Sequence, residues 1–369
     1  LCEDGEITVV LMRINVLTPG FTTSNGSAFL FPFVVHKNTL KQSQFEVKFV
    51  SRNSPDIADC DVLAIDSKEF RSDWSKSRSN ATFDLISSFR KSNLKVIWFD
   101  TTDSSATLQS KVFPAVDKYL KSQIVADKSR YTGKIYGGRI ISDYYNSTLG
   151  ITDETEGDLD EPISDQDLEK LGVSWNSGLA DYSTYGPWKI ALHRRLGFRF
   201  LLGHPGAIAA PNRARENNLS ARFSATYSRT TVRYQREQIR MILAAKLDTN
   251  KLNRRGYIKE LTNSKIVLSP FGWGEITLKD FEVFLTGGML LKPSMNQIHT
   301  WPNFYEENVT YLSHNWDLTD LEERIAWAIS NDSLRQDIAT YGQNRYIEHT
   351  SGPSAGELFV NHFLDVLSV

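Results

Sequence analysis

The chain has 369 residues, of which 40% are hydrophobic and 23% are charged, and its formal net charge is −2. This length favours two domains, and the composition is that of a globular protein with buried cores, which excludes a disordered chain. A net charge so close to zero gives no overall field that would attract nucleic acid or an anionic membrane.

The first half of the chain alternates predicted strands and helices. Short apolar runs predict strands at Ile7–Ile14, Phe45–Val50, Asp61–Ile65 and Leu94–Phe99. Helices are predicted to begin near Ser27 and to cover Ala81–Ser92. Short apolar strands that alternate with helices predict a parallel sheet covered on both faces, with binding sites at the carboxyl ends of its strands.

The second half repeats this pattern after an irregular middle region, Tyr131–Gly186, where we place the change from one domain to the next. The predicted strands are Leu219–Phe223, Lys265–Ser269, Met289–Lys292 and Thr310–Leu312. The predicted helices are Thr231–Leu247, Leu278–Leu285, Leu318–Ser330, Ser333–Tyr346 and Ala355–Leu367. The predicted divisions of the chain are therefore residues 1–185, residues 186–352 and a C-terminal helical segment, residues 353–369.

The sequence contains no pattern that predicts disulfide bonds, a zinc site, a membrane span or a signal peptide. The two cysteines, Cys2 and Cys60, do not form a disulfide framework or a zinc-binding spacing. The longest apolar stretch, Ser27–Val35, is too short to span a bilayer, and the first residues do not resemble a signal peptide. We therefore expect a cytoplasmic protein without a transmembrane segment, for which peripheral contact with a membrane stays open.

The segment Lys265–Pro293 has the pattern of a phosphate-binding unit. A predicted strand enters a loop with two glycines, Gly272 and Gly274, and Thr277 can cap the following helix with Asp280 three residues later. Free N–H groups and a positive helix end suit a pyrophosphate. Strand, glycine loop and helix are also the ordinary unit of any α/β protein, so this spacing alone leaves both interpretations open.

The amino-acid sequence of this segment resembles the donor site of GT-B glycosyltransferases, most closely the exostosin-like group and related bacterial polysaccharide transferases. The similar parts are Ser269-Pro-Phe-Gly-Trp-Gly-Glu, Asp280-Phe-Glu and Thr286-Gly-Gly-Met-Leu-Leu-Lys-Pro, all in the last third of the chain. The resemblance implies an α/β fold of two Rossmann-like domains that face each other across a cleft, with the C-terminal helix packed back on the first domain. One departure is Lys279, since the family pattern has an arginine before the helix glutamate.

Carried over residue by residue, the resemblance assigns the donor site. Glu282 would bind the ribose of the donor, and the loop would approach its phosphates and sugar. The loop residues are Phe271, Gly272, Trp273, Gly274 and Glu275. A basic residue after the first strand of the second domain would stabilise the leaving nucleoside diphosphate, and Arg222 and Arg229 are the candidates.

Positive and negative residues are concentrated in separate parts of the chain, which gives candidate regions for binding phosphate and metal ions. Ten arginines and only two acids lie between Arg194 and Arg240, whereas Asp153–Glu169 holds nine acids and no base. Arg233, Arg236 and Arg240 fall at helical spacing and are also consistent with a solvated helix face. Asp59-Cys-Asp61 matches the pattern of a metal-binding Asp-x-Asp motif, but it precedes a predicted strand and is interpreted as a turn. We therefore expect no metal or other cofactor.

The acceptor side of the cleft would come from the first domain. Deprotonation of an acceptor hydroxyl requires a general base in an inverting transferase. Asp103 is the favoured base with Asp100 as its partner, because both follow the strand Leu94–Phe99; caps for the next helix are an equally good explanation. The loop before Ser27 would also reach the cleft, with Thr23, Ser24, Asn25 and Gly26.

The sequence thus predicts a metal-independent glycosyltransferase, a hexosyl- or pentosyltransferase of polysaccharide biosynthesis. Its partners would be a nucleotide-sugar donor and a glycan acceptor, without nucleic acid. Two alternatives stay open: a sugar-nucleotide epimerase of the same fold, and an arginine-rich polyanion-binding protein, whose affinity would fall steeply with salt.

Overall fold

The computed structural model of the protein describes residues 11–70, 79–90, 94–154, 161–243 and 249–368. The strands are β1 Met12–Leu17, β2 Phe45–Val50, β3 Val62–Asp66, β4 Lys95–Asp100, β5 Lys118–Lys121, β6 Gln123–Val125, β7 Leu171–Val173, β8 Asn217–Ser220, β9 Ser264–Leu268, β10 Met289–Pro293, β11 Ile298–Thr300 and β12 Leu312–His314. The helices are α1 Ser24–Val35, α2 Lys37–Gln42, α3 Ser79–Arg90, α4 Ile140–Leu149, α5 Asp165–Leu168, α6 Gly186–Leu196, α7 Thr230–Leu243, α8 Arg254–Asn263, α9 Leu278–Thr286, α10 Leu321–Ser330, α11 Asp332–His349 and α12 Ala355–Leu367.

The first half of the chain forms a six-stranded sheet in the order β2-β1-β3-β4-β5-β7, and every neighbouring pair is parallel. Its central strands are buried apart from Lys95 at the start of β4, which explains why the residues between the ends of β3 and β4 are apolar. The chain leaves β1 for β2 on one side and then returns to β3 on the other. The strand order therefore reverses at β1, which is where such sheets form a crevice for ligands.

The second half forms a four-stranded parallel sheet in the order β12-β10-β9-β8. An antiparallel pair of short strands, β6 and β11, joins the two halves, with Ile298 opposite Val125. The fold is therefore α/β with two Rossmann-like sheets facing across a cleft, the GT-B arrangement, and the predicted fold class is confirmed.

The last helix, α12, lies against the first sheet rather than the second. Phe363 packs edge-on against Phe33 of α1, with the ring centroids 5.3 Å apart. The ammonium groups of Lys95 and Lys118, at the starts of β4 and β5, donate to the last carbonyl groups of α12. Cations at a helix C-terminus interact favourably with its dipole, so this contact fixes the helix end on the first half.

Several predicted elements differ from the structure at their ends. Residues Ile7–Val10 of the first predicted strand lie outside the described residues, and β1 continues to Leu17. The helix expected near Ser27 already begins at Ser24, because the hydroxyl of Thr23 accepts the N–H of Gly26 and caps it. The strand predicted at Leu219–Phe223 is shifted towards the N-terminus and is β8.

Candidate functional site

A cavity of about 380 Å³ lies between the two sheets, where the carboxyl ends of their strands meet. The first half lines it with Ser24, Asn25, Phe29, Thr101, Thr102, Asp103, Ser122, Gln123 and residues 174–177. The second half lines it with Tyr227, Arg236, residues 272–274 and residues 276–278. Its volume is in the range of small-molecule sites, and its position is where α/β sheets bind ligands.

Hydroxyl and amide groups make up most of the first-half wall, and two aromatic rings lie among them. The rings of Phe29 and Trp175 are stacked with their centroids 5.2 Å apart, and the indole N–H of Trp175 donates to the carbonyl of Phe29 at 3.1 Å. Hydroxyls and amides both donate and accept hydrogen bonds, as sugar hydroxyls do. The two rings are only 4% and 2% exposed, so they support this wall from the core.

The glycine loop after β9 is attached to the opposite half of the protein through Glu275. The buried carboxylate accepts the N–H and the hydroxyl of Ser105, each at 3.0 Å, and the amide of Gln123, also at 3.0 Å. Burial raises the pKa of this carboxyl, and the hydrogen bonds from Ser105 oppose that rise. The structure therefore corrects the expectation that Glu275 faces a donor, because its carboxylate is already used to hold the loop across the cleft.

Gly274 shows how closely this loop approaches the first half. A Cβ atom at Gly274 would lie 1.9 Å from the carbonyl oxygen of Asp103, a backbone atom that cannot move aside. At Gly272 an added Cβ would meet only the side-chain ends of Tyr227, at 3.2 Å, and Arg236, at 3.3 Å. Glycine is therefore required at 274 by the contact between the two halves, and Gly272 keeps a tyrosine and an arginine close to the loop.

A buried polar network supports the start of α9, where the predicted capping box is confirmed. The carboxylate of Asp280 accepts the N–H of Thr277 at 3.1 Å and the hydroxyl of Tyr305 at 2.8 Å. The ammonium of Lys292, from β10, lies 3.1 Å from the same carboxylate, and both side chains are fully buried. The start of the helix is thus fixed by a charge pair beneath it.

Arg236 of α7, which the sequence analysis treated as part of a helical series of arginines, lies at the cavity. Its guanidinium donates to the carbonyl oxygens of Phe271, at 2.6 Å, and Ser224, at 2.8 Å. It lies 5.0 Å from the ring centre of Tyr227, and only 8% of the residue is exposed. The interpretation of Arg236 as part of a solvated face is therefore wrong. Among the described residues, no carboxylate forms an ion pair with this guanidinium, whose partners are carbonyl oxygens.

Two further arginines lie side by side beyond Trp273. Arg139 stacks on the indole of Trp273, 4.9 Å from the ring centre, and donates to its carbonyl at 2.8 Å. Arg139 and Arg229 both donate to the carbonyl of Gly137, at 3.1 and 2.6 Å. Burial and the nearby charge of Arg229 lower the pKa of Arg139. Arg229 is therefore brought close to the predicted loop, together with an arginine that the sequence analysis missed.

Arg222 is not brought to this site. Its guanidinium forms a two-point ion pair with Glu260 of α8, with hydrogen bonds between 2.9 and 3.1 Å. Both residues line a different cavity, of about 610 Å³, beside β8. The predicted contact of Arg222 with a donor phosphate is corrected accordingly, because its charge is neutralised by Glu260 away from the cleft.

Glu282 lies one turn along α9 from the cavity and is not part of its lining. Its carboxylate is paired with the guanidinium of Arg254, which also donates to the carbonyl oxygens of Tyr182, at 2.7 Å, and Ser183, at 3.1 Å. A ribose would therefore have to replace Arg254 as the partner of this carboxylate. Lys279, in the place of the family's arginine, donates to the carbonyl of Arg222 and does not line the cavity.

The two candidate catalytic carboxylates have different environments. Asp103 is exposed in the cavity, and one of its oxygens accepts the amide of Asn25 at 2.6 Å. Asp100 is fully buried, with the ammonium of Lys121 at 2.6 Å and the hydroxyl of Tyr119 at 2.7 Å. The charge of Lys121 and these hydrogen bonds hold the pKa of Asp100 below its usual value despite burial. Asp100 is therefore the buried partner of Lys121 and does not line the cavity.

The remaining predicted residues divide between the cavity and the core. Ser24 and Asn25 line the cavity, whereas Thr23 caps α1 and Gly26 lies buried against Asp66 and Lys68. Phe271 is buried, and its N–H donates to the amide oxygen of Gln235 at 3.1 Å. Of the predicted site residues, those that share the cavity are Ser24, Asn25, Asp103, Gly272, Trp273 and Gly274.

Neither known protein families nor curated proteins match the chain by sequence. Among solved structures it is similar to an alpha-glucosyltransferase in complex with UDP and a 13-mer DNA, at 11% identity over 97% of this chain and 100% of that one, with a TM-score of 0.43. It is also similar to HepE of Anabaena in complex with UDP-glucose, at 9% identity over 96% and 100% of the two chains, with a TM-score of 0.41. MnaA of S. aureus in complex with UDP gives 9% identity over 97% and 98%, with a TM-score of 0.41.

These values assign no substrate or chemistry to this chain. One of the complexes contains DNA, so the expectation that nucleic acid is not a partner gains no support from the comparison. None of the helices in the described ranges combines the length and the apolar character that a bilayer span requires. Within the same ranges, no three His, Cys, Asp or Glu side chains converge as metal ligands, and Asp59 and Asp61 form a turn before β3 that binds Arg13.

Proposed function

We propose that the protein is a glycosyltransferase that moves a sugar from a nucleotide-sugar donor to a hydroxyl group of a glycan or glycoconjugate. The observation that carries this proposal is the cavity between the sheets. It combines a carboxylate on one side, Asp103, with a glycine loop and a buried cation, Arg236, on the other. These are the groups that acceptor activation and departure of a nucleoside diphosphate require.

The diphosphate of the donor would lie between the glycine loop and Arg236. The start of α9 points at this position and offers the positive end of a helix dipole. Arg139 and Arg229 add positive charge beyond Trp273. Because arginine holds phosphate oxygens by paired hydrogen bonds, these side chains can stabilise the leaving group in the role that a metal has in other transferases. Metal-independent transfer is therefore part of the proposal.

The nucleoside of the donor would extend along α9 towards Glu282. There the ribose hydroxyls would replace the guanidinium of Arg254 as the hydrogen-bond partner of the Glu282 carboxylate. The support for this placement is the position of Glu282 one turn beyond Leu278, which lines the cavity. The exostosin-like resemblance and a role in polysaccharide synthesis belong to the same proposal, since both rest on the amino-acid sequence of Lys265–Pro293. The sugar would then lie over the hydroxyl and amide wall, near Asp103.

Replacing Arg236 with methionine is expected to lower the affinity for the donor about 10- to 100-fold, because hydrogen bonds to a charged group contribute about 1.5–3 kcal/mol. Arg240→Met is the matched control: it lies one turn further along α7, where it donates to the carbonyl of Phe223 and does not line the cavity. Calorimetric titration with the nucleotide-sugar separates the two variants. Equal affinities for Arg236→Met and the unmodified protein would remove Arg236 from the site.

The activity itself is tested by incubating the protein with nucleotide-sugars, with and without a panel of octyl glycosides as acceptors. The proposal expects release of nucleoside diphosphate that increases when an acceptor is present. Isomerisation of the donor sugar without an acceptor would instead identify an epimerase. Absence of any reaction and of any donor binding would contradict the proposal.

A further inference from the structure

Exposed aromatic and aliphatic side chains are concentrated along one segment of the chain, which contains α6 and the short turn that follows it. The exposed fraction is 62% for Trp188 and 82% for Phe200. The rings of Phe198 and Phe200 stack on each other with their centroids 5.5 Å apart. We call this set the aromatic surface: Tyr185, Trp188, Leu196, Phe198 and Phe200. Isolated exposed apolar residues are ordinary, but a group of this size on one segment indicates an interaction site.

The same segment carries only positive charge. From Tyr185 to Ile208 the sequence contains four cations and no aspartate or glutamate. The cations are Lys189, Arg194, Arg195 and Arg199. Arg195 lies two turns along α6 from Trp188 and therefore shares its face of the helix. Arg194 and Arg195 are exposed, and within the described ranges neither forms an ion pair.

Contacts with the first half hold this segment in place. The imidazole of His193, on α6, packs edge-on against Phe21 with the ring centroids 4.9 Å apart. The Nδ1 atom of His193 lies at hydrogen-bond distance, 3.0 Å, from the carbonyl of Phe198. Arg199 donates to the carbonyl of Val34, at the end of α1. The aromatic surface is therefore presented by an anchored element of the fold.

We propose that the aromatic surface binds the protein to an anionic membrane. Trp188, Phe198 and Phe200 would enter the interfacial layer, where aromatic rings are favoured, and Arg194 and Arg195 would contact the lipid headgroups. A second copy of the chain is a poor partner, since a symmetric contact would place Arg194, Arg195 and Arg199 against the same three arginines; Lys189 lies 3.8 Å from the carboxylate of Asp181. The aliphatic side chain of Leu196 gains from acyl chains and not from stacking on nucleotide bases, which favours a lipid surface over a nucleic acid.

The position of the surface relates it to the cavity. Phe21, which contacts His193, lies in the loop between β1 and α1, and this loop leads directly to Ser24 and Asn25 in the cavity wall. Binding at the aromatic surface would therefore bring the first-half side of the cavity towards the membrane. This inference goes beyond the proposed transfer reaction, and its test measures binding to lipid without any sugar donor.

The test is co-sedimentation of the full chain with vesicles of phosphatidylcholine, with and without phosphatidylglycerol. We expect binding to the anionic vesicles that weakens as salt is added. Trp188→Ala/Phe200→Ala is expected to weaken binding at least about tenfold, by loss of buried apolar area. Arg194→Gln/Arg195→Gln is expected to weaken it by about fivefold per arginine and to reduce its salt dependence.

Matched controls come from other exposed residues. Leu334→Ala/Tyr341→Ala removes comparable apolar side chains from α11, and Arg255→Gln/Lys259→Gln removes two cations from α8. Both double variants should bind vesicles like the unmodified protein, and all variants should keep its circular dichroism spectrum. The proposal is overturned if the unmodified protein does not bind anionic vesicles or if the controls lose binding equally. It is also overturned if the aromatic surface proves to hold a second copy, or single-stranded DNA, without lipid binding.

Discussion

Replacement of Asp103 with asparagine is expected to reduce the rate of sugar transfer about 100- to 10,000-fold, the usual contribution of general base catalysis. The side-chain shape is preserved, and the amide oxygen can still accept the hydrogen bond from Asn25 that orients this residue. Asparagine cannot take a proton from the acceptor hydroxyl, however. The measurement is acceptor-dependent release of nucleoside diphosphate, together with the affinity for the donor, which should change little.

Asp100, at the end of β4, is the residue with which the effect of replacing Asp103 is compared. Asp100→Ala is expected to lower the free energy of unfolding by about 3–5 kcal/mol, because it leaves Lys121 as an uncompensated buried charge. Asp103→Asn should leave the free energy of unfolding within about 0.5 kcal/mol, since Asp103 is exposed. If Asp103→Asn transferred sugar at the original rate, Asp103 would not be the base.

Replacement of Lys292 with alanine is expected to be the most destabilising change at the start of α9. It would lower the free energy of unfolding by about 3–5 kcal/mol, because the carboxylate of Asp280 would remain buried without its cation. Asp280 also accepts hydrogen bonds from Ser269 and Tyr305, so it cannot turn to solvent without breaking them. Urea denaturation, followed by circular dichroism, measures the change.

A lysine on the neighbouring strand serves as the control for Lys292. Lys265 of β9 donates to the amide oxygen of Asn218 near the surface, and Lys265→Ala should cost no more than about 0.5 kcal/mol. Adding Asp280→Asn to Lys292→Ala should recover part of the lost stability, since it removes the unpaired charge. A loss below about 1 kcal/mol for Lys292→Ala would show that the ion pair does not fix the start of α9.

The fold was predictable where the chain repeats simple patterns. Phe45–Val50 and Ala355–Leu367 coincide with β2 and α12, because alternating apolar and charged residues in the strand and an amphipathic pattern in the helix each leave a clear periodicity. The strands β5, β6 and β7 were missed, since three or four residues are too few to show a period. The helix α6 was also missed: it leaves Trp188 and Leu196 exposed, so its apolar residues do not mark a buried face.

The sequence predicted which loops line the cavity, but it did not predict which charged side chains lie at the cavity. Gly272, Gly274 and Asp103 follow strand ends and line the cavity, as the topology of parallel sheets dictates. Arg236 could have been found, because it falls on the apolar stripe of α7 formed by Val232, Ile239 and Leu243 and must therefore be buried.

The partners of the other charged groups are distant in sequence. Arg222 is neutralised by Glu260, 38 residues away, and Glu275 accepts from Ser105 across the cleft, 170 residues away. Neither partner lies on the same strand or helix, so no local spacing records the contact. Only the packing of α8 beside β8, and of the glycine loop on the first half, decides which charges remain for a ligand.

The most direct test of a donor site between the two sheets is thermal unfolding in the presence of UDP-, GDP-, CMP- and dTDP-sugars. The account predicts that one base class raises the Tm, since a ligand at 100 times its Kd stabilises a protein by about 2.7 kcal/mol. The increase should be lost in Glu282→Ala and kept in Glu260→Ala, which breaks a similar ion pair away from the cleft. The absence of a shift with every nucleotide-sugar, or an equal shift in both variants, would contradict it.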